Sequence, residues 1–272
     1  MDIIIPTAKH IEKSHSSIYY TIRSILTQSL QPKNIIVVEN DYNTGVCDFL
    51  HYHFGTLVRV IPNDGQRNNI SYARNKGAAY SSSETLLFMD DDVVIGNNNF
   101  LKQIQEKMFH EDFYCGAYRY WSEANWHKYI NKDCPLNHIL RILKAKSFKP
   151  TSIERNSGNR NFHDFSFIGN FGAIKRAVFQ EIGGFDEQYE GWTYQDTDLM
   201  MRLCEKEYSY QLMAYDDIYV YHLSHPADKS QYISKNRELF YEKQKQMNVK
   251  FHLSHFFGIF NSDADLAIIQ RL

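Results

Sequence analysis

Short apolar runs alternate with helical patterns along the first 95 residues of the chain. The runs IIIPT, NIIVVE, LVRVI and TLLFM start at residues 3, 34, 57 and 85. Continuous apolar runs of this kind are typical of strands that are buried on both faces. Between them, residues 16–30 and 70–80 repeat apolar side chains at helical spacing, and we predict that Ser71 caps the second of these helices.

This alternation predicts an α/β fold with a mostly parallel central sheet flanked by helices. In such sheets ligands bind beyond the carboxyl ends of the strands. Polar residues follow the first, second and fourth runs, namely Thr7, then Glu39 and Asn40, then Asp90 to Asp92. We therefore expect these side chains to line one crevice.

The second half of the chain has a weaker pattern. FYCGAYRYW and FSFIGNFGAIKR predict longer strands, and an irregular stretch joins them from about 121 to 165. A glycine turn then leads into a helix with Leu199, Met200 and Leu203 on its apolar face. IYVYHLSHP predicts the strand that closes the sheet. The remaining residues, which include FHLSHFFGIF, predict a C-terminal helical tail from 223 to 272.

Composition and charge restrict the class of protein. The net charge of −2 gives no electrostatic reason to expect nucleic acid as a partner. The four cysteines form no C-x-x-C pair, so we interpret them as reduced thiols. No apolar run reaches the roughly 18 residues of a membrane span, and the N-terminus has no signal-peptide pattern. We expect a soluble, cytoplasmic protein.

Residues 141–160 are an exception to the balanced charge. This stretch, RILKAKSFKPTSIERNSGNR, carries six Lys or Arg residues against Glu154 alone. A solvated loop and a surface for phosphate or an anionic membrane both fit this pattern. Peripheral contact with the inner face of the membrane is therefore one of our expectations.

Three consecutive aspartates follow the fourth apolar run. Neighbouring carboxylates repel one another by on the order of a kcal/mol per pair at the protein surface. At a strand end, a period of two directs Asp90 and Asp92 to one side and Asp91 away from it. Oxygen ligands suit Mg²⁺ or Mn²⁺, whereas the alternative is a solvated acidic turn. His222 also ends an apolar run and is a candidate third ligand.

A second acidic constellation lies in GWTYQDTDLMMR. Asp196 falls in the first turn of the predicted helix, where the helix dipole favours an ionised carboxylate. Asp198 is placed to pair with Arg202 at i,i+4, which leaves Asp196 to accept a proton. Trp192 offers a flat face to a sugar ring, with a position in the core as the alternative.

Seven segments taken in order resemble the inverting family-2 glycosyltransferases of the GT-A fold. They are IIIPT, IIVVEN, SYARNKGA, FMDDDVV, IGNFGAIKR, GGFDEQYEGWTYQDTDLMMRL and YVYH, within residues 2–222. The sixth segment is also similar to galactosyl- and N-acetylgalactosaminyltransferases. The resemblance implies a GT-A domain at 1–222 with a Rossmann-like sheet. It further implies a nucleotide-binding half at 1–95 and an acceptor-binding half at 96–222.

The resemblance also implies a role for individual residues. Thr7, Glu39 and Asn40 would contact uracil and ribose, and Arg74 would lie near the base or the phosphate. Asp90 would lie by the ribose, and the same nucleotide-sugar-binding motif includes Asp91. Asp92 and His222 would hold Mn²⁺ or Mg²⁺, and Asp196 would be the general base. The acceptor and sugar pocket would contain Asn170, Trp192 and Gln195.

Two departures from the family pattern restrict these expectations. The family usually has an aspartate after the second strand, so which of Glu39, Asn40 and Asp41 meets the base stays open. The usual Glu-Asp pair is here Gln195-Asp196, which puts one acceptor contact in doubt. The Q-x-x-R-W motif of processive members is absent, so we expect one sugar to be added per visit.

The implied function is the transfer of a galactose-, N-acetylgalactosamine- or glucose-type sugar from a UDP-sugar. The acceptor would be a hydroxyl of a glycan or a lipid-linked glycan in bacterial surface-polysaccharide synthesis. A nucleotidyltransferase is one alternative, although IIIPTAKHIEKS lacks the glycine-rich basic loop such enzymes use. A non-catalytic sugar-binding subunit is the other.

Overall fold

The computed structural model describes most of the chain between residues 1 and 247. The described ranges are 1–8, 17–41, 45–62, 69–115, 118–123, 125–130, 133–147, 171–191, 193–212, 219–225 and 230–247. Residues 251–260, which form FHLSHFFGIF, are outside the described residues. Residues 148–160, the larger part of the basic stretch, are also outside them.

Strands and helices alternate through the first half, as the apolar pattern predicts. The strands are β1 (Asp2–Thr7), β2 (Asn34–Glu39), β3 (Arg59–Ile61), β4 (Thr85–Met89), β5 (Val93–Ile95), β6 (Phe113–Cys115), β7 (Tyr118–Trp121), β8 (Phe171–Lys175), β9 (Tyr210–Leu212) and β10 (Tyr219–His222). The helices are α1 (Ser17–Leu26), α2 (Val46–Phe54), α3 (Ile70–Ala79), α4 (Phe100–His110), α5 (Leu136–Lys146), α6 (Arg176–Glu181), α7 (Gln195–Glu205) and α8 (Ser230–Gln244).

The main sheet has seven strands in the order β3-β2-β1-β4-β8-β6-β9. β1 pairs in parallel with β2 and β4, whereas β8 runs antiparallel to both of its neighbours. Along β1, Ile3 and Ile5 pack into the core on one face and Ile4 into the core on the other. Burying such a side chain contributes about 1.5–3 kcal/mol, which explains the apolar runs in the sequence. The predicted mostly parallel α/β sheet is confirmed.

The last strand does not close the main sheet, which corrects one of our expectations. β10 pairs antiparallel with β5 and parallel with β7 in a separate three-stranded sheet. His222 is therefore in register with Val93, directly after the aspartates, and Leu223 N donates to Asp92 O at 2.8 Å. The pairing of β10 with β5 thus brings two distant segments of the candidate site together.

Several element boundaries also differ from the predictions. FYCGAYRYW does not form one strand, since β6 and β7 belong to different sheets. Asn69, and not Ser71, caps α3, because Asn69 Oδ1 accepts a hydrogen bond from Tyr72 N at 2.9 Å. Ser71 is instead buried in the first turn. Among the described residues, no helix is long and apolar enough to cross a membrane.

α3 lies very close to the central strands. A Cβ on Gly77 would be 2.5 Å from Ile4 Cγ2, so a larger residue would push this helix away from β1. Ala73 and Ala78 are buried on the same helix. This close packing also buries Arg74, which has only 2% of its surface exposed. The short side chains of α3 therefore place a guanidinium group within the fold.

Candidate active site

The ends of three parallel strands are linked through Thr7. The backbone N–H of Asn40, just after β2, donates to Thr7 O at 2.6 Å. Thr7 Oγ1 donates to the Asp91 carboxylate, which follows β4. Glu39 is the register partner of Thr7 in the sheet. The predicted convergence of these polar residues at one edge is therefore confirmed.

Asn40 combines burial with an unused acceptor. The residue is 6% exposed, and Asn40 Oδ1 has no hydrogen-bond partner among the described residues. Burying an amide oxygen without a partner is unfavourable, so such atoms commonly mark a ligand or an ordered water. Asn40 is thus the best placed of the three candidates after β2 to bind a polar group in this crevice.

The three aspartates lie in a turn, and each has a different partner. β4 ends at Met89, so the alternation of a strand does not continue through them. Asp90 pairs with Arg74, Asp91 accepts from Thr7, and Asp92 pairs with histidines. The expectation that Asp91 points away as a spacer is wrong, because its carboxylate joins the end of β4 to the end of β1.

Arg74 connects the first half of the chain to the second. Its Nη2 lies 3.2 Å from Asp90 Oδ1, and its Nη1 lies 2.8 Å from Asp196 Oδ1. The guanidinium carbon is 5.0 Å from the centroid of the Phe185 ring, which suits a cation–π contact. A buried cation needs partners of this kind to offset its desolvation. A direct contact of Arg74 with a nucleotide stays a prediction.

The local electrostatics favour a bound cation. The pKa of Asp90 is raised to about 6, and burial of the carboxyl is the largest cause. Arg74 acts against this rise, whereas the negative charges of Asp92, Asp196 and Asp91 contribute to it. Three other carboxylates thus act on Asp90, and Arg74 pairs with two of the four. A divalent cation would relieve the remaining repulsion between them.

Asp92, His222 and His225 form a candidate metal centre. His222 Nε2 is 3.5 Å from Asp92 Oδ1, and His225 Nε2 is 2.8 Å from Asp92 Oδ2. The potential ligand atoms of the three residues all lie within 4.8 Å of one another. One carboxylate and two imidazoles fit Mn²⁺ better than Mg²⁺, which prefers oxygen ligands alone. The donor set therefore fits a metal ion.

His225 is not among the ligands predicted from the sequence. His222 is predicted because it ends an apolar run, whereas the second histidine in HLSH follows the end of that run. An H-x-x-H spacing beside a strand end is the signal that points to a pair of ligands.

The loop before α7 has an unusual backbone. Gly191, Thr193 and Tyr194 have φ angles of 59°, 97° and 66°. Positive φ at a non-glycine residue costs on the order of 1–3 kcal/mol and is most unfavourable for a β-branched residue such as Thr193. The surrounding structure must therefore hold this loop, and the loop determines where α7 and Asp196 begin.

Asp196 and Asp198 have the different surroundings that their spacing predicts. Asp198 is 1% exposed, accepts from Tyr189 OH at 3.2 Å and pairs with Arg202 at 2.8 Å. Asp196 is 28% exposed, so a ligand in the crevice can reach its carboxylate. The structural assignment of Asp198 is confirmed, and the catalytic assignment of Asp196 stays a prediction.

Two pocket residues lie outside the described residues, namely Asn170 and Trp192. Their predicted role in the acceptor and sugar pocket is therefore untested. The third, Gln195, opens α7 beside Asp196. It is 4% exposed, and its Oε1 has no hydrogen-bond partner among the described residues.

The sequence matches two family models. The model described as glycosyl transferase family 2 covers residues 2–183. A second model, described as N-terminal domain of galactosyltransferase, covers residues 149–226. The second range contains Asp196 and both histidines of the candidate metal centre. A search of curated proteins found no match.

Solved structures resemble the chain in fold. TarS 1–349 from S. aureus, in complex with UDP-GlcNAc, superposes with a TM-score of 0.60 at 14% identity, covering 92% of this chain and 67% of TarS 1–349. The mannosyltransferase PcManGT from Pyrobaculum calidifontis, in complex with GDP-Man and Mn²⁺, gives a TM-score of 0.58 at 14% identity and covers 91% and 64%. The chain spans 40% of a longer TarS structure. These similarities show the GT-A fold.

Proposed function

The chain belongs to glycosyl transferase family 2, and on that premise we propose that it transfers a sugar from a UDP-sugar to an acceptor hydroxyl, with inversion at the anomeric carbon. One observation carries the proposal. Arg74 joins Asp196, the candidate base, to Asp90, the candidate ribose contact, with Asp92 and its histidines nearby. The groups needed to bind a nucleotide sugar and to activate an acceptor thus lie together.

The nucleotide would bind at the ends of β1, β2 and β4. Asn40 has an unused buried acceptor there, and a uracil N–H is a suitable donor to it. Thr7 and Glu39 flank Asn40 at the same sheet edge, and Asp90 would accept from a ribose hydroxyl. UDP-GlcNAc is bound by TarS and GDP-Man by PcManGT, which supports a nucleoside-diphosphate sugar as the donor class.

Asp92, His222 and His225 would hold Mn²⁺ next to the donor diphosphate. When bound, the ion supplies positive charge that stabilises the departing diphosphate. The two imidazoles favour Mn²⁺ over Mg²⁺ as the resident ion. The Mn²⁺ in the PcManGT structure is in line with that choice.

Asp196 would act as the general base in a single displacement. Its carboxylate takes the proton from the acceptor hydroxyl while the acceptor oxygen bonds to the anomeric carbon. The bond between that carbon and the diphosphate oxygen breaks on the opposite face of the sugar. Arg74 Nη1 lies 2.8 Å from Asp196 Oδ1, and this contact would orient the carboxylate towards the acceptor hydroxyl.

The acceptor we propose is a lipid-linked glycan in surface-polysaccharide synthesis. α5 buries Ile139 and Leu143 and leaves Arg141, Lys144 and Lys146 exposed. An exposed basic face of this kind attracts phosphate groups and anionic lipids. We propose peripheral contact with the inner face of the membrane on this basis, with one sugar added per visit. Galactose, N-acetylgalactosamine and glucose types are the candidate sugars.

Mass spectrometry of reaction products tests the proposal. The protein with Mn²⁺ is incubated with a panel of UDP-sugars, with GDP-mannose for comparison, and with lipid-diphosphate glycans. We expect UDP release and an acceptor heavier by one sugar, with far less product from Asp196→Asn and none after chelation. Pyrophosphate release would indicate the nucleotidyltransferase alternative. Failure of UDP to bind in calorimetry with Mn²⁺ would indicate the non-catalytic alternative.

A further inference from the structure

The C-terminal helix α8 is hydrogen-bonded to the strained loop through one buried side chain. Asn236 is 0% exposed. Its Nδ2 donates to Glu190 O at 2.8 Å and to Thr193 O at 3.3 Å, and its Oδ1 accepts from Glu190 N at 3.2 Å. A single amide therefore binds the loop backbone on both sides of Gly191.

The loop is held on its other side by the start of α3. Asn69, the N-cap of α3, forms an isolated parallel β-bridge with Gly191 through the backbone. Asn69 Nδ2 also donates a hydrogen bond to Glu187 O at 2.8 Å. A Cβ on Gly191 would collide with the Tyr232 ring of α8. The loop thus lies between α3, which carries Arg74, and α8.

α8 also contacts the residue that directly precedes α7, the helix that carries Asp196. Tyr194 is the N-cap of α7 and has a left-handed backbone conformation. Its ring centroid is 5.2 Å from that of Phe240 on α8, and both side chains are buried. Asp196 follows two residues later. The loop conformation that α8 supports therefore sets the position of Asp196 relative to Arg74.

The packing of α8 against the fold does not by itself explain why a fully buried amide is present at Asn236. Helix docking alone requires only apolar side chains such as Phe240, and burying an amide is unfavourable unless it is hydrogen-bonded. The partners of Asn236 on the loop are backbone atoms in a stretch with positive φ at Thr193 and Tyr194. A side chain that binds backbone at several points is suited to hold a conformation that the chain by itself disfavours.

We propose that Asn236 is a positioning residue for the transfer reaction. By fixing the backbone at Glu190 and Thr193, it keeps Asp196 within hydrogen-bond distance of Arg74 and aligned with the acceptor hydroxyl. The inference rests on the proposed function of Asp196 as the base. It assigns to the C-terminal helix a direct part in the geometry of the reaction.

The test compares Asn236→Leu and Asn236→Asp with wild type. Asn236→Leu keeps the branched shape with a larger side chain and loses the hydrogen bonds, whereas Asn236→Asp keeps the size and the acceptor for Glu190 N and loses the donors. Because a displacement of about 1 Å at a reacting group can cost roughly 10²-fold, we expect kcat to fall 10- to 100-fold. The Kd for UDP with Mn²⁺ should stay within about twofold, because the nucleotide binds at the strand ends. Hydrogen exchange in peptides covering 186–198 should become faster.

A rescue variant separates positioning from simple stability. Glycine adopts positive φ readily, so Asn236→Leu combined with Thr193→Gly should recover part of the lost kcat. Lys235→Met is the matched control, since Lys235 lies beside Asn236 and pairs with Glu190 only through exposed side chains. It should leave kcat and hydrogen exchange unchanged.

Failure of the positioning role of Asn236 can be distinguished from failure of the proposed function. An unchanged kcat in both Asn236 variants, with faster exchange in the loop and an active wild type, would overturn the positioning role alone. A parallel loss of UDP binding and kcat would overturn it as well, because the effect would then be general. Absence of transfer by the wild type would overturn the proposed function itself, and the inference with it.

Discussion

Arg74 and Asp196 are 122 residues apart in the chain, yet Arg74 Nη1 donates to Asp196 Oδ1 at 2.8 Å. The same guanidinium contacts Asp90 in the turn after β4. Arg74 is therefore a buried link between the first half of the chain and the helix that carries the proposed base. Its removal would leave two carboxylates close together without their shared cation.

Arg74→Met tests the importance of this link. Removing one partner from a buried ion pair costs about 3–5 kcal/mol, so the free energy of unfolding should fall by that amount. Denaturant unfolding without metal measures the effect. Lys102→Met is the control, because its pair with Glu106 is exposed and should contribute about 0–1 kcal/mol. A difference below about 1 kcal/mol between Arg74→Met and wild type would contradict the structural role.

Asp196→Asn tests the proposed base. We expect kcat to fall by roughly 10²–10⁴-fold, because general base catalysis typically contributes that much, while UDP binding is retained. Steady-state kinetics and calorimetry with UDP and Mn²⁺ provide the two measurements. Asp198→Asn is the contrasting variant. It should lower stability by about 1–3 kcal/mol, because Tyr189 and Arg202 lose a charged partner. A normal kcat in Asp196→Asn would remove Asp196 from this role.

His225→Ala tests the candidate ligand that only the three-dimensional structure places beside Asp92. Residues that merely orient metal ligands contribute about 10- to 100-fold in affinity, so loss of a ligand should weaken Mn²⁺ binding by at least tenfold. Titration of the protein with Mn²⁺ measures this. Asp92→Asn should behave similarly, and His127→Ala, at an exposed position, should not. Wild-type affinity in His225→Ala would limit the site to Asp92 and His222.

Substitution of Asp91 should lower the stability of the protein more than substitution of a residue whose side chain points into solvent. Its carboxylate accepts from Thr7 Oγ1 and is 6% exposed. Asp91→Ala and Thr7→Val should each reduce the free energy of unfolding by about 1–3 kcal/mol. The double variant should lose less than the sum, because both changes remove the same bond. Full additivity in denaturant unfolding would show that the two residues act independently.

Asp2 should make the stability of the fold depend on pH. Burial acts to raise its pKa, but hydrogen bonds from Ser81, Ser83 and Asn34 outweigh it and lower the pKa of Asp2 below its usual value. A carboxyl with a lowered folded pKa stabilises the protein above its unfolded pKa of about 3.9. The contribution is lost as the pH falls through the folded value.

Asp2→Asn should therefore be less stable than wild type at neutral pH. The difference should shrink as the pH falls below about 4, because the wild-type carboxyl then becomes protonated. Thermal unfolding between pH 3 and 7 measures both curves. Parallel curves over the whole range would mean that Asp2 does not titrate in the way described.

Local patterns in the sequence predicted much of the fold. β1, β2 and β4 follow from their apolar runs, because strands buried on both faces need apolar residues throughout. The apolar face of α7 and the pairing of Asp198 with Arg202 follow from helical spacing, since both depend on residues within one or two turns. The convergence of Thr7, Asn40 and the aspartates follows from a general property of parallel sheets.

Contacts between distant segments were decided by the tertiary structure alone. The placement of β10 beside β5, and with it the pairing of His225 with Asp92, depends on which strand β10 meets. The partners of Arg74 and the binding of the loop by Asn236 likewise join elements far apart in the chain. The spacing of residues in the sequence indicates only which side chains are neighbours within one helix or strand. The sequence by itself therefore determined most elements of the first half and the edge of the sheet where the candidate site lies, whereas three-dimensional packing decided which side chains meet there.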